Sequence, residues 1–160
     1  MRYLVVFYSR TGFTKKVAET ISNELKCDIE EIFDTKNRRG AKGYILACKD
    51  AISKKTTTMK ETERNPSVYD VLIIGTPVWA FTMTPAIRTY IIENKRSFNR
   101  VAFFCTQGGA GAKKTFKDMQ DLCGLKPLAV LELTTKEVVN GRYSQKLKKF
   151  IPQLLVKTSG

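Results

Sequence analysis

The sequence predicts a doubly wound α/β fold, a five-stranded parallel sheet with helices on both faces. Three observations lead there. Strand-like apolar runs and amphipathic helix patterns alternate five times along 160 residues, the pattern of a parallel sheet built from crossover units. Arg2–Phe7 and Val71–Gly75 are almost unbroken apolar runs, as expected of strands buried on both faces. The first, third and fourth runs each open into a loop rich in Gly, Ser or Thr, at the carboxyl ends where sheets of this kind take their ligands.

Taken in order, Arg2–Phe7 is the first strand and should be central. Val17, Ala18, Ile21 and Leu25 then fall on one face of a helix over Thr14–Lys26, with Lys and Glu opposite. Asp28–Phe33 is a shorter, more polar strand suited to an edge. Residues 34–66 are dense in Lys and Arg and too long for a plain loop. A helix over Tyr44–Lys54, with Ile45, Cys48 and Ile52 as its apolar stripe, fits inside, flanked by mobile charged connections over Lys36–Lys42 and Thr56–Asn65. Val71–Gly75 is the strongest buried-strand pattern. Thr84 and Pro85 then supply an N-cap and a first-turn proline for a helix whose inward face is Ile87, Tyr90 and Ile91. Val101–Thr106 is the fourth strand, followed by a helix with Phe116, Met119 and Cys123 inward. Leu128–Leu133 is the fifth. A final helix near Tyr143–Leu155 presents Leu147, Phe150, Ile151 and Leu154, with Pro152 expected to kink or interrupt it.

The length, 160 residues and 18.1 kDa, predicts one domain over 1–160 with a core that needs neither disulfide nor metal. With no histidine and no C-x-x-C spacing, histidine-based catalysis and the usual zinc sites are not expected. Cys27, Cys48, Cys105 and Cys123 show no C-x-x-C spacing and are expected to be reduced, mostly buried thiols. No cleavable signal pattern opens the chain, and no apolar stretch approaches the roughly 18 residues of a membrane span; a cytoplasmic location without a membrane span is the expectation. The net charge of +13 and pI of about 9.7 favour anionic partners. No recognition motif for nucleic acid accompanies the charge, so nucleic acid is not the expected partner.

The first loop, Tyr8-Ser9-Arg10-Thr11-Gly12-Phe13-Thr14, places three hydroxyls around one glycine at a strand-to-helix turn. Unpaired backbone N–H groups and the positive end of the helix dipole favour an anion there, and a terminal phosphate monoester fits. Helix capping alone would use the same residue types. Arg10 adds either an ion pair or a charge directed to solvent; Lys15 and Lys16 stand on an exposed first turn. In the second loop, Thr76-Pro77-Val78-Trp79-Ala80-Phe81-Thr82-Met83, Trp79 and Phe81 either wall a flat apolar ligand or pack into the core, and Trp79, beside Pro77, is the preferred wall. The third loop, Thr106-Gln107-Gly108-Gly109-Ala110-Gly111, either brings backbone amides close to a ring or is a flexible lead-in to the next helix. Neither a Walker A pattern nor G-x-G-x-x-G is met there, since no Gly-Lys pair precedes Ser or Thr and Lys114 holds the last glycine position. No cysteine lies between Tyr8 and Thr14, which excludes a cysteine-nucleophile phosphatase at the first loop.

These loops resemble those of the flavodoxin-like family of FMN proteins, over nearly the whole chain. Ser9, Arg10, Thr11, Gly12, Phe13 and Thr14 are similar to that family's phosphate loop. Gly75, Thr76, Pro77, Val78 and Trp79 look like its second flavin loop, and Thr106, Gln107, Gly108 and Gly109 like its third; Ala80, Phe81 and Gly111 beside them are further candidate contacts. The resemblance implies strand order 2-1-3-4-5, FMN as cofactor and these residues as its contacts. Arg10 departs from the small or hydroxyl residue expected at its place.

The implied function is an FMN protein passing electrons through its flavin. The alternatives are an FMN-dependent NAD(P)H oxidoreductase acting on quinones or similar acceptors, and a basic binding module without flavin. The carriers of the family are typically acidic; this chain is basic, so an acidic redox partner such as a ferredoxin-like protein is expected. The resemblance also implies a backbone turn in the second loop that accompanies one-electron chemistry and is easiest at glycine. Residues 76–83 contain no glycine, which favours paired electron steps.

Overall fold

Side chains alternate between the two faces of a strand, so a run that is apolar at every position needs cover on both sides. The computed structural model, which describes residues 1–36 and 40–155, supplies that cover. Five strands, β1 (Tyr3–Phe7), β2 (Asp28–Glu31), β3 (Val71–Pro77), β4 (Val101–Gln107) and β5 (Val130–Thr134), form one sheet in the order β2-β1-β3-β4-β5, all neighbours parallel. The expected fold class and strand order are therefore both present, with β2 on an edge.

Leu4, Val6, Leu72, Ile74 and Phe103 face one side and pack with Ile87, Tyr90 and Ile91 of α3 (Pro85–Asn94) and Met119 of α4 (Ala112–Cys123). Val5, Phe7, Ile73 and Phe104 face the other and meet Val17 and Ile21 of α1 (Phe13–Leu25) and Leu147 and Phe150 of α6 (Ser144–Leu154). Gly75 in β3 is required by this packing, because a Cβ there would lie 2.0 Å from Phe104 Cζ. α3 begins as predicted: Thr84 accepts the Ile87 N–H, and Pro85 opens the helix. α6 runs through Pro152 to Leu154.

Two expectations are corrected, and one element is added. The helix between β2 and β3, α2 (Gly40–Ile52), starts earlier than Tyr44, and its inward face is Gly43, Ala47, Asp50 and Ala51. Ile45 and Ile52, expected inside, are 68% and 69% exposed. Small residues let the helix lie close to the neighbouring elements, and the large side chains are left pointing outward. Second, the connection over Thr56–Asn65 is held by its backbone. Thr57 N–H donates to Thr89 Oγ1, and the N–H groups of Glu63 and Arg64 donate to the Glu30 carboxylate. Residues 37–39 of the other connection lie outside the described residues. The added element is a short helix, α5 (Thr135–Val139), which follows β5 without a loop. Thr134 and Glu137 form a capping box there, two reciprocal bonds that start a helix in one step.

The four cysteines carry free thiols, Cys105 and Cys123 buried and Cys27 and Cys48 half-buried. Burial pushes the Cys105 thiol up to about 12 and the Cys27 thiol to about 11, so neither is a ready nucleophile. Among the described residues no helix is long and apolar enough to cross a membrane, and no group of three or more His, Cys, Asp or Glu could hold a metal.

Candidate functional site

The three hydroxyl- and glycine-rich loops leave β1, β3 and β4, adjacent strands in the sheet, and meet at one end of it. In the first, Gly12 takes φ +95 and precedes α1 with no side-chain cap on the helix. Its N–H donates to Ser9 Oγ at 3.1 Å, which curls the loop back on itself. The first turn of α1 holds no acidic residue, so its free amides present undiminished positive potential. Thr11 and Gly12 are exposed, Ser9, Arg10 and Phe13 half-buried, and Thr14 buried. Thr14 Oγ1 shares a hydrogen bond of 2.8 Å with Thr106 Oγ1, joining the first loop to the third.

Arg10 reaches across to α2. Its guanidinium lies 5.1 Å from the ring centroid of Tyr44 on α2, a cation–π contact. Lys15 pairs with Glu31 at 2.8 Å. A cavity of about 340 Å³ opens between this loop and the end of β2, lined by Tyr8, Ser9, Arg10, Gly12, Lys15 and Phe33 among others.

The second loop turns back sharply at its tip. Trp79 and Thr82 exchange N–H···O=C bonds of 3.0 and 3.1 Å, with Ala80 at φ +49 and Phe81 at φ +63 between them. Two consecutive positive φ values are the pattern of a type I′ turn, which normally selects Gly, Asn or Asp. Here neither residue is one of these, and the conformation is held from outside. Thr82 Oγ1 donates to Asp118 of α4 at 2.7 Å and accepts from Arg88 Nη2 of α3 at 3.3 Å. Lys114 Nζ lies 2.6 Å from the same carboxylate. Burial alone would raise the Asp118 pKa, but the bonds from Lys114 and Thr82 outweigh it and hold the carboxyl below its ordinary value. Arg88 is buried and its guanidinium is pushed down by desolvation, against the pull of Asp118.

Of the two aromatics named as candidate walls, the ring exposed at this turn is Phe81 and not the preferred Trp79. Trp79 is only 4% exposed and packs edge-on against Tyr8 with centroids 5.4 Å apart, while Phe81, 58% exposed, is the ring the turn presents. Val78 and Pro77 stand half-buried beside it, and Thr76 is buried, its hydroxyl accepting the Thr84 N–H at 3.2 Å.

In the third loop Gln107 is buried and its side-chain carbonyl accepts the Ala112 N–H at 3.1 Å. Gly108 and Gly109 are exposed, with nothing within 4 Å of an added Cβ, whereas Gly111 at φ +109 would bring a Cβ to 2.7 Å from Val78 Cγ1. Val78 N–H donates to the Thr106 carbonyl at 2.8 Å. Loops one and two meet through Tyr8 and Trp79, loops one and three through Thr14 and Thr106, and loops two and three through Val78. Thr82 lay inside a recognised loop, but nothing in the sequence marks Arg88 or Asp118 as its supports, since each belongs to a different helix.

The family model described as Flavodoxin matches residues 2–154. Among solved structures the chain is similar to a flavoprotein from Lactobacillus acidophilus in complex with FMN, with 26% identity, 87% of this chain and 97% of that one covered and a TM-score of 0.73. The apo form of a flavoprotein from the same organism covers 86% of this chain and 95% of its own at 26% identity and a TM-score of 0.68. The two-electron reduced flavodoxin of Megasphaera elsdenii shares the fold, at 14% identity and a TM-score of 0.51 over 81% of this chain and 84% of that one. No curated protein matches. The chain belongs to the flavodoxin family.

Proposed function

We propose that this protein binds FMN at the three joined loops and passes electrons through it. The observation that carries the reading is the first loop, where the N-terminus of α1 has no side-chain cap and no acidic first-turn residue, with Ser9, Thr11 and Thr14 around Gly12. That donor set suits a phosphate dianion. Pro77, Val78 and Phe81 with the open backbone at Gly108 and Gly109 suit a flat ring. When bound, FMN supplies the redox chemistry, accepting and releasing electrons. The chain's own residues bind and orient it: the α1 amides and hydroxyls hold the phosphate, and the Thr82–Asp118–Arg88 group fixes the turn that carries Phe81.

The turn supports a second reading, an FMN-dependent NAD(P)H oxidoreductase acting on quinones or similar acceptors. Its positive φ positions are held by Ala80 and Phe81 and anchored through Thr82 to Asp118 and Arg88, which fixes the turn in one conformation, and a loop that does not switch favours two-electron over one-electron chemistry.

Absorbance of the purified protein in the flavin bands, followed by titration of the apo protein with FMN and with riboflavin, tests the binding. FMN should bind more tightly than riboflavin, and failure of both to bind would leave the basic binding module. Anaerobic mixing with NADH or NADPH alone then separates the two redox readings, rapid bleaching marking the oxidoreductase.

A further inference from the structure

We propose that the outward face of α2 is a docking surface for an anionic lipid bilayer. The apolar stripe Ile45–Cys48–Ile52 is present on this helix, but Ile45 and Ile52 point to solvent, and Tyr44 and Leu46 beside them are also exposed. The buried positions Gly43, Ala47 and Ala51 seat the helix flat on the protein and leave Ile45 and Ile52 in solvent. An exposed apolar cluster of this kind marks an interaction surface.

Charge selects the occupant. The exposed charged residues over 40–55 are Lys42, Lys49, Lys54 and Lys55, and the one carboxylate in that span, Asp50, is buried and paired with Lys36 at 3.2 Å. A second copy of the chain carries the same net charge of +13 and brings like charges together. Protein interfaces are depleted in lysine, whereas a helix with an apolar stripe edged by lysines alone suits the headgroup boundary of an anionic leaflet. Isoleucines enter the acyl boundary and lysines meet the phosphates. Because Arg10 of the first loop lies against Tyr44, a docked bilayer sits next to the loops at the carboxyl ends of the strands. The inference stands on α2 alone and does not depend on flavin binding.

The test is sedimentation of the full chain with vesicles of phosphatidylcholine alone and of phosphatidylcholine with 30 mol% phosphatidylglycerol, a composition chosen at roughly the charge density of an anionic leaflet. The protein should bind the anionic vesicles, weaken steeply as salt rises and leave the neutral ones in the supernatant. Ile45→Ser with Ile52→Ser should weaken binding at least about tenfold, as should Lys42→Glu with Lys49→Glu. Lys148→Glu with Lys149→Glu on α6 removes the same charge elsewhere and should cost much less. Absence of binding to anionic vesicles overturns the proposal. So does binding that the isoleucine pair does not affect, which is diffuse attraction, or a dimer in sedimentation velocity that the same pair abolishes. All substituted side chains are exposed, and circular dichroism of each variant should match the parent.

Discussion

Thr14 Oγ1 and Thr106 Oγ1 stand 2.8 Å apart and share a hydrogen bond beneath the surface, tying the start of α1 to the end of β4. A buried hydroxyl left without its partner costs about 1 to 3 kcal/mol. Thr14→Ala should lower unfolding stability by that amount in a denaturant titration, and Thr14→Ser should recover most of it. Thr11, exposed in the same loop, carries no such structural bond. Thr11→Ala should therefore leave stability unchanged while weakening FMN binding more than riboflavin binding; equal losses for the two ligands would put the phosphate elsewhere.

Gly108 and Gly111 look alike in the sequence and differ in the structure. Gly108→Ala meets no atom within 4 Å, whereas Gly111→Ala meets Val78 and Phe81 from a φ of +109. The expected loss for Gly111→Ala is about 1 to 3 kcal/mol from the left-handed backbone and the overpacked contact. The Gly108 variant should stay within about 0.5 kcal/mol of the parent. Thermal unfolding of the two variants side by side checks this, and equal effects would mean that the second and third loops are not in contact.

Ala80 and Phe81 hold a turn suited to glycine. Ala80→Gly removes a Cβ penalty of about 1 kcal/mol, partly offset by the extra freedom of the unfolded chain. In the FMN-loaded protein it should also ease backbone rotation and widen the separation between the two one-electron potentials, which ought to be small in the parent. Spectroelectrochemical titration of parent and variant reads both. A parent with widely separated potentials would remove the argument for paired electron steps.

Asp118 carries a carboxyl held below its ordinary value of 3.8. A carboxyl whose pKa is depressed on folding stabilises the protein above its unfolded pKa and loses that contribution as pH falls through the folded one. Stability should thus fall with acid below about pH 4, and Asp118→Asn should lower stability at pH 7 and flatten the acid slope. Chemical denaturation between pH 7 and pH 2.5 measures both, and an unchanged slope would show that the Asp118 carboxyl gains nothing on folding from Lys114 and Thr82.

The net charge of +13 predicts that association with an acidic ferredoxin-like protein slows steeply as salt rises. Stopped-flow rates from low to high ionic strength check it; a flat dependence would remove the acidic partner.

What the sequence determined by itself was the alternation of elements and the three loops, because apolar runs such as Val71–Gly75 have few ways to be buried and residues like Gly12 or Thr84 act within their own turn. The N-cap at Thr84 and the first loop's glycine turn could be read from three or four adjacent residues. Tertiary structure decided the rest. Periodicity showed that Ile45, Cys48 and Ile52 share a helix face but not which way it points, and the close seating of Gly43, Ala47 and Ala51 turned it outward. Trp79 and Phe81 are both aromatic and two residues apart, and only the tight turn between Trp79 and Thr82 sends one ring into the core and the other into solvent. That turn is held by Arg88 and Asp118 from two other helices, and a contact between residues 36 positions apart leaves no mark in either one's local sequence.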